Sequence, residues 1–198
     1  MAIGELDWFD SIGETEITQP QASAISAKSI VTRNIHKMKF LKRTDKASQI
    51  IPEMINEGDC IHFISNGSFG SNEFINAIDD KYNIKKIYVT TWSINNDFID
   101  IINKINPEEF WFLCDESIKS RKIAYYGRLT KYLAHLNMKI SLVKGLHSKV
   151  TLLETEKAGK IIYDASANYS NNVRIEQFNL YKDDNLYNFH LGWISKLL

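Results

Sequence analysis

The 198-residue sequence has no excess of charge, few cysteines and no long hydrophobic run. Basic and acidic side chains number 24 each, so net charge gives no argument for nucleic acid, although local fields can act where the sum does not. The two cysteines, Cys60 and Cys114, each lie in an apolar β-like run, which predicts buried, reduced thiols. No stretch approaches the roughly 18 apolar residues of a membrane span, and the N-terminus lacks the features of a secretory signal. We therefore expect a cytoplasmic protein with no membrane partner.

Composition divides the chain near residue 48. Residues 1–27 are polar and show no sustained periodicity, which indicates a flexible N-terminal arm. Residues 28–46 carry seven basic side chains against a single acid, Asp45, as expected of either a solvated connector or an arm that binds phosphates. The expected division is an arm and basic connector over residues 1–48 and one catalytic domain over residues 49–198.

From residue 49 onwards, strand-like and helix-like segments alternate. Strands are predicted at residues 59–65, 84–91, 110–115, 139–144, 149–154, 160–164 and 174–181, and helices at residues 50–55, 74–79, 96–105, 118–136 and 186–198. This order predicts an α/β fold in which helices flank a mixed β-sheet.

Candidate chemistry is concentrated after residue 144. His147 and Lys149 are two residues apart, so on an extended segment their side chains point to the same side. After a short β-rich return, Ser166 and Asn168 follow with the same spacing, and Glu176 comes later. An imidazole, an ammonium and an amide together suit attack on a phosphodiester, because histidine can form a covalent intermediate while the other two neutralise phosphate oxygens. Nothing in this set requires a metal or another cofactor.

The spacing resembles that of the phospholipase D superfamily, whose HxK motif is followed by an aspartate and then by GSxN. Here the match is His147-Ser148-Lys149, then Glu154 in place of the aspartate, then Ala165-Ser166-Ala167-Asn168 with alanine in place of the first glycine. An alanine restricts the backbone where glycine would permit positive φ.

The resemblance implies an α/β sandwich and a metal-independent phosphodiesterase, most simply a DNA or RNA nuclease. A single motif is similar to the branch of the family in which two subunits share one site. In that arrangement His147 forms a phosphohistidine and His147 of the partner subunit protonates the leaving oxygen. By the same resemblance Lys149 and Asn168 hold the phosphate oxygens, Ser166 assists them, and Glu176 orients a histidine. A catalytically weak nucleic-acid-binding or assembly protein that keeps the fold is the alternative, and a phospholipid enzyme is a third interpretation.

A long stretch without acidic residues leads into the motif. No aspartate or glutamate lies between Ser117 and Leu153, and on one continuous helix Arg121, Arg128 and Lys131 would share a stripe. Together with Lys144 they are candidate substrate-binding residues, either as a phosphate track or as a solvated basic face. Aromatic side chains in the same stretch would either stack on bases or pack against the core; they are Tyr125, Tyr126 and Tyr132.

Overall fold

The computed structural model describes residues 35–40, 46–66, 69–170 and 174–198. The predicted flexible arm lies outside these ranges, as does most of the basic connector. The described strands are β1 Ile35–Phe40, β2 Asp59–Asn66, β3 Ile84–Thr91, β4 Glu109–Asp115, β5 Met138–Val143, β6 Val150–Thr155, β7 Gly159–Ala165 and β8 Ile175–Tyr181. The described helices are α1 Ala47–Ile50, α2 Ser71–Tyr82, α3 Asn96–Ile105, α4 Ile118–Arg121, α5 Ile123–Tyr132 and α6 Asp184–Ile194, and a 3₁₀ turn follows at Ser195–Leu197.

The described strands form one mixed sheet in the order β1-β2-β8-β7-β6-β3-β4-β5. Neighbours are parallel in the pairs β1–β2, β3–β4 and β4–β5, and antiparallel in the four remaining pairs. Each face of the sheet carries a buried apolar cluster, one beneath α1, α2, α3 and α5 and the other beneath α6. The expected α/β fold, a mixed sheet flanked by helices, is confirmed.

Aromatic rings fill the centre of the larger cluster. Phe74 of α2 lies 5.4 Å from Phe63, 5.0 Å from Tyr163 and 5.6 Å from Phe178 between ring centroids, so one helix residue contacts three strands. Burial of rings of this size supplies much of the stability of such a core.

Strand direction brings distant segments to one edge of the sheet. Strands β2, β3, β4, β5 and β7 end at this edge, whereas the antiparallel strands β6 and β8 begin there. His147 and Lys149 directly precede β6, Asn168 follows β7, and Glu176 lies at the start of β8. The fold therefore gathers the predicted site residues at a single edge.

The predicted helices at residues 50–55 and 118–136 are wrong, and those at residues 74–79 and 186–198 differ from α2 and α6 in their bounds. The helix at residues 50–55 does not form, because α1 ends at Ile50 and Ile51 is extended, with φ −64° and ψ 122°. Pro52 accounts for this, since a proline disfavours helical geometry in the residue before it. The helix at residues 118–136 is broken at Lys122, with φ −137° and ψ 43°, and α5 ends at Tyr132.

Two further expectations concern strand β1 and the cysteines. Residues Ile35–Phe40, inside the predicted connector, form β1 parallel to β2, with Ile35 opposite Asp59. Cys60 and Cys114 are free and buried, as predicted. Burial raises the pKa of Cys60 to about 11 and that of Cys114 to about 12, so both remain thiols at neutral pH. Within the described ranges, no helix combines the length and the apolar character needed to cross a bilayer.

Candidate active site

A tight turn after β5 directs the chain into the motif. Gly145 has φ +77°, a left-handed conformation that strains residues with a Cβ. Its N–H donates to Asp115 Oδ2 at 2.8 Å, and Asp115 also accepts from the N–H and the hydroxyl of Ser117. Burial disfavours the Asp115 carboxylate, but these hydrogen bonds and the nearby Arg121 charge outweigh it, so the pKa of Asp115 is lowered. A permanently charged carboxylate thus ties the turn to α4.

Thr90 of β3 fixes the middle of the motif. Val150 N donates to Thr90 Oγ1 at 2.9 Å, and Ser148 Oγ lies 3.1 Å from the same oxygen. The Ser148 side chain is therefore directed towards β3. Because side chains alternate along an extended chain, the residues on either side of Ser148 are turned the other way.

The side chains of His147 and Lys149 contact each other. Lys149 Nζ lies 3.1 Å from His147 Nδ1 and donates to the His147 carbonyl oxygen at 3.0 Å. An ammonium group only donates, so Nδ1 accepts and the neutral ring carries its proton on Nε2. Partial burial lowers the pKa of Lys149, and the charge of Glu176 opposes that shift. His147 itself is exposed and accessible to a substrate.

Asn168 is held by its amide oxygen. Its Oδ1 accepts from the main-chain N–H of Trp92 at 3.2 Å and from Thr91 Oγ1 at 3.4 Å. A bridge between Ile94 and Tyr169 fixes the two loops beside each other. Since the oxygen faces two donors, the NH₂ group is turned away from them, and no acceptor in the described part of the chain contacts it. The amide is oriented to donate to a ligand.

Ser166 and Glu176 form a separate pair. The Ser166 hydroxyl donates to Glu176, and its oxygen accepts from Gln177 N at 3.0 Å. Among the described residues, Glu176 makes no hydrogen bond to His147, so within this chain the expected orientation of His147 by Glu176 is not seen. The Glu176 carboxylate acts on the motif through its charge on Lys149.

The structure accommodates both departures from the motif that the sequence resembles, Ala165 and Glu154. Ala165 ends β7 opposite Phe178, its N–H donates to the Lys149 carbonyl at 3.2 Å, and its φ is not positive. An alanine therefore fits this backbone without strain. Glu154 forms an ion pair with Lys86 of β3 at 3.0 Å.

Trp92, which the sequence did not bring forward, links the parts of the site. Its ring centroid lies 6.0 Å from that of His147, and its N–H holds Asn168. The Trp92 ring also contacts α4, because Arg121 Cζ of that helix lies 3.8 Å from the ring centroid. The position of Trp92 could have indicated its role. It directly follows the strand predicted at residues 84–91, and the residues that follow parallel strands lie together at one edge of the sheet.

The remaining basic candidates are spread over two elements. Arg128 pairs with Asp100 of α3 at 2.6 Å, whereas Lys131 and Lys144 are exposed. The break at Lys122 places Arg121 on a different helix from Arg128, so the predicted single stripe is wrong. Of the three tyrosines, Tyr125 and Tyr126 pack against the core, as one of the two interpretations predicted. Tyr132 is 49% exposed.

Metal-ligating side chains are not clustered here. In the part of the chain that the structure describes, no group of three or more histidine, cysteine, aspartate or glutamate side chains is placed to hold a metal ion. The cationic side chains that contact the described site are Lys149, beside His147, and Arg121, beside Trp92.

Comparison with known proteins finds partial structural neighbours. No protein-family model matches the chain, and no curated protein matches it. Among solved structures the chain is similar to TrmBL2, an archaeal chromatin protein, with a TM-score of 0.47 and 9% identity over 75% of this chain. It is also similar to yeast tyrosyl-DNA phosphodiesterase, with a TM-score of 0.42 and 12% identity over 61% of this chain. The chain spans 55% of the length of the first protein and 31% of the second.

Proposed function

We propose that this protein is a metal-independent phosphodiesterase of the phospholipase D-like type that acts on DNA or RNA. One observation carries the proposal. The contact between His147 and Lys149 lies at the same sheet edge as the Asn168 amide, whose oxygen is already bound and whose NH₂ group is directed outwards. A nucleophile, a cation and a preoriented neutral donor are the groups that phosphoryl transfer requires.

The reaction proceeds in two steps. The Nε2 lone pair of His147 attacks phosphorus, the bond from phosphorus to the leaving oxygen breaks, and that oxygen takes a proton from His147 of the partner subunit. A water molecule then attacks phosphorus and gives a proton to the same partner imidazole, and the bond from phosphorus to Nε2 breaks. This step releases the second product and restores the His147 ring. Both histidine roles require a proton on Nδ1, so Lys149 must leave Nδ1 for a phosphate oxygen when substrate binds. Asn168 donates to the second oxygen.

A nucleic-acid-binding protein without turnover is the second candidate. It is favoured by two local contacts: Lys149 is hydrogen-bonded to Nδ1 of His147, and the Ser166 hydroxyl is hydrogen-bonded to Glu176. These contacts engage side chains that turnover would require. In that case the basic groups at the edge bind phosphates and no bond is broken.

A cleavage assay separates the two. Wild type, His147→Ala and the matched control His135→Ala, which alters another exposed histidine, are incubated with single-stranded DNA, duplex DNA, RNA and bis(p-nitrophenyl) phosphate in EDTA. We expect hydrolysis that survives chelation because the charge comes from side chains, that is lost in His147→Ala and that persists in His135→Ala. Strict dependence on Mg²⁺ or Zn²⁺ would refute the mechanism. Binding without cleavage by wild type would establish the second candidate.

A further inference from the structure

Trp92 and Arg121 form a rigid stacked pair next to the proposed nucleophile. The guanidinium lies over the indole at 3.8 Å, and the indole in turn lies 6.0 Å from the His147 ring. A planar guanidinium on an aromatic face is a favourable arrangement, to which both dispersion and the ring quadrupole contribute.

Three further contacts hold the guanidinium in place. Arg121 Nε donates to Ser117 Oγ at 2.8 Å, Nη2 lies 3.5 Å from the Trp92 carbonyl oxygen, and Asp115 Oδ1 is 3.9 Å away. The Arg121 side chain nevertheless remains 33% exposed. Arg121 Cζ lies over the indole, so the Trp92 ring covers one side of the guanidinium group, and the group is still partly accessible to a ligand.

Trp92 also connects this plane to the reacting groups. Its main-chain N–H fixes the Asn168 amide, and its side chain lies against His147. Any group stacked on Arg121 is therefore held at a defined distance from the phosphorus that His147 would attack.

We propose that the Trp92–Arg121 pair is a subsite for the nucleotide next to the scissile phosphodiester, with its base stacked on the outer face of the guanidinium. This inference rests on the proposed function and names its substrate class, an unpaired nucleic-acid strand. A base offers the flat π-face that a guanidinium plane recognises, which a lipid headgroup does not. Within a duplex both faces of a base are covered by its neighbours, so only an unpaired or extruded base can enter the stack.

The test compares a single-stranded oligonucleotide of defined cleavage position with the same strand carrying an abasic residue beside that position. The variants are Arg121→Lys, which keeps the charge and removes the plane, and Trp92→Phe, which keeps the main-chain N–H and reduces the platform. Lys139→Ala is the matched control, because Lys139 lies 4.7 Å from the Trp111 ring in a cation–aromatic pair at the start of β5. Thermal unfolding verifies that each variant is folded.

Wild type and the control should prefer the intact strand by about 10-fold to 100-fold, the range expected for loss of one stacked base. Arg121→Lys should lose most of that preference, and Trp92→Phe should lose part of it. An equal preference in wild type and Arg121→Lys, or no preference in wild type, would overturn the subsite. Hydrolysis of bis(p-nitrophenyl) phosphate by wild type tests the proposed function separately. If it fails, the same ratio is measured as binding affinity by fluorescence anisotropy, and the same outcomes decide.

Discussion

Exchange of Asn168 for aspartate separates the structural role of this side chain from its proposed role in catalysis. The substitution keeps an oxygen for Trp92 N–H and Thr91 Oγ1 at 3.2 and 3.4 Å. It replaces the outward NH₂ by a second, negatively charged oxygen. We expect stability within about 1 kcal/mol of wild type, because both local hydrogen bonds persist. Hydrolysis should fall by about 10²–10³-fold, the usual effect of removing one preoriented donor from a developing oxyanion.

Asn168→Ala provides the contrasting result. Alanine removes the acceptor and leaves the Trp92 N–H without its partner, which costs about 1–3 kcal/mol. In a protein of this size each kcal/mol lowers Tm by about 2–4 °C. The alanine variant should therefore be both inactive and visibly less stable, whereas the aspartate variant should be inactive and stable.

Circular dichroism melts and hydrolysis of bis(p-nitrophenyl) phosphate measure the two effects on the same preparations. Wild-type activity in Asn168→Asp would show that the amide does not contact the reacting phosphate. Equal destabilisation in both variants would show that the hydrogen bonds to Oδ1 do not hold the loop.

Three further predictions follow from the proposed dimer, the basic surface and a buried carboxyl. Mixing wild type with His147→Ala should yield heterodimers with severely impaired turnover, whereas retention of half the wild-type rate would indicate independent sites. Asp100→Asn should release Arg128 from its ion pair and make oligonucleotide binding tighter. The slope of log K against log salt should become steeper by about one unit. An unchanged slope would mean that α5 does not bind phosphates. Burial raises the pKa of Asp164 despite hydrogen bonds that favour its carboxylate, so the contribution of Asp164 to stability is lost as pH rises from the ordinary aspartate pKa through the raised one. Asp164→Asn should therefore raise Tm at pH 7 and not at about pH 4, and an equal gain at both would contradict the assignment.

Local signals in the sequence were sufficient for most elements beyond residue 58. Strand β3 and helix α3 have their predicted bounds, because an apolar run and a one-sided apolar stripe are unambiguous and Asn95 caps the helix by accepting from Phe98 N. The errors in the predicted helices at residues 50–55 and 118–136 have identifiable positions in the chain. Pro52 ends α1 early, and the break at Lys122 has no glycine or proline to announce it. The alternation of Lys37 and Lys39 with Met38 and Phe40 is typical of a strand, and it was the signal available for β1.

Only part of the candidate site could be predicted from the sequence, because some of its contacts depend on strand order. His147, Lys149 and Asn168 appear as a spacing pattern, so their proximity could be predicted. Trp92 was not predicted and joins the site through the pairing of β3 with β6. Arg121 was predicted from its charge, but its contact with Trp92 depends on the placement of α4. Such contacts depend on strand order, which no local pattern specifies. The sequence suggested a histidine as the partner of Glu176, whereas among the described residues the Ser166 hydroxyl is its side-chain hydrogen-bond donor.

The main chain and the side chain of Trp92 make separate contacts at the site, which bears on how substrate preference can change. The main chain of this residue holds the Asn168 amide, and that hydrogen bond is available from any amino acid except proline. The side chain contacts His147 and Arg121, and it can be exchanged while the hydrogen bond to Asn168 is kept. Selection or directed evolution could therefore alter the contacts of the indole by exchanging one side chain, while the Asn168 amide stays in place.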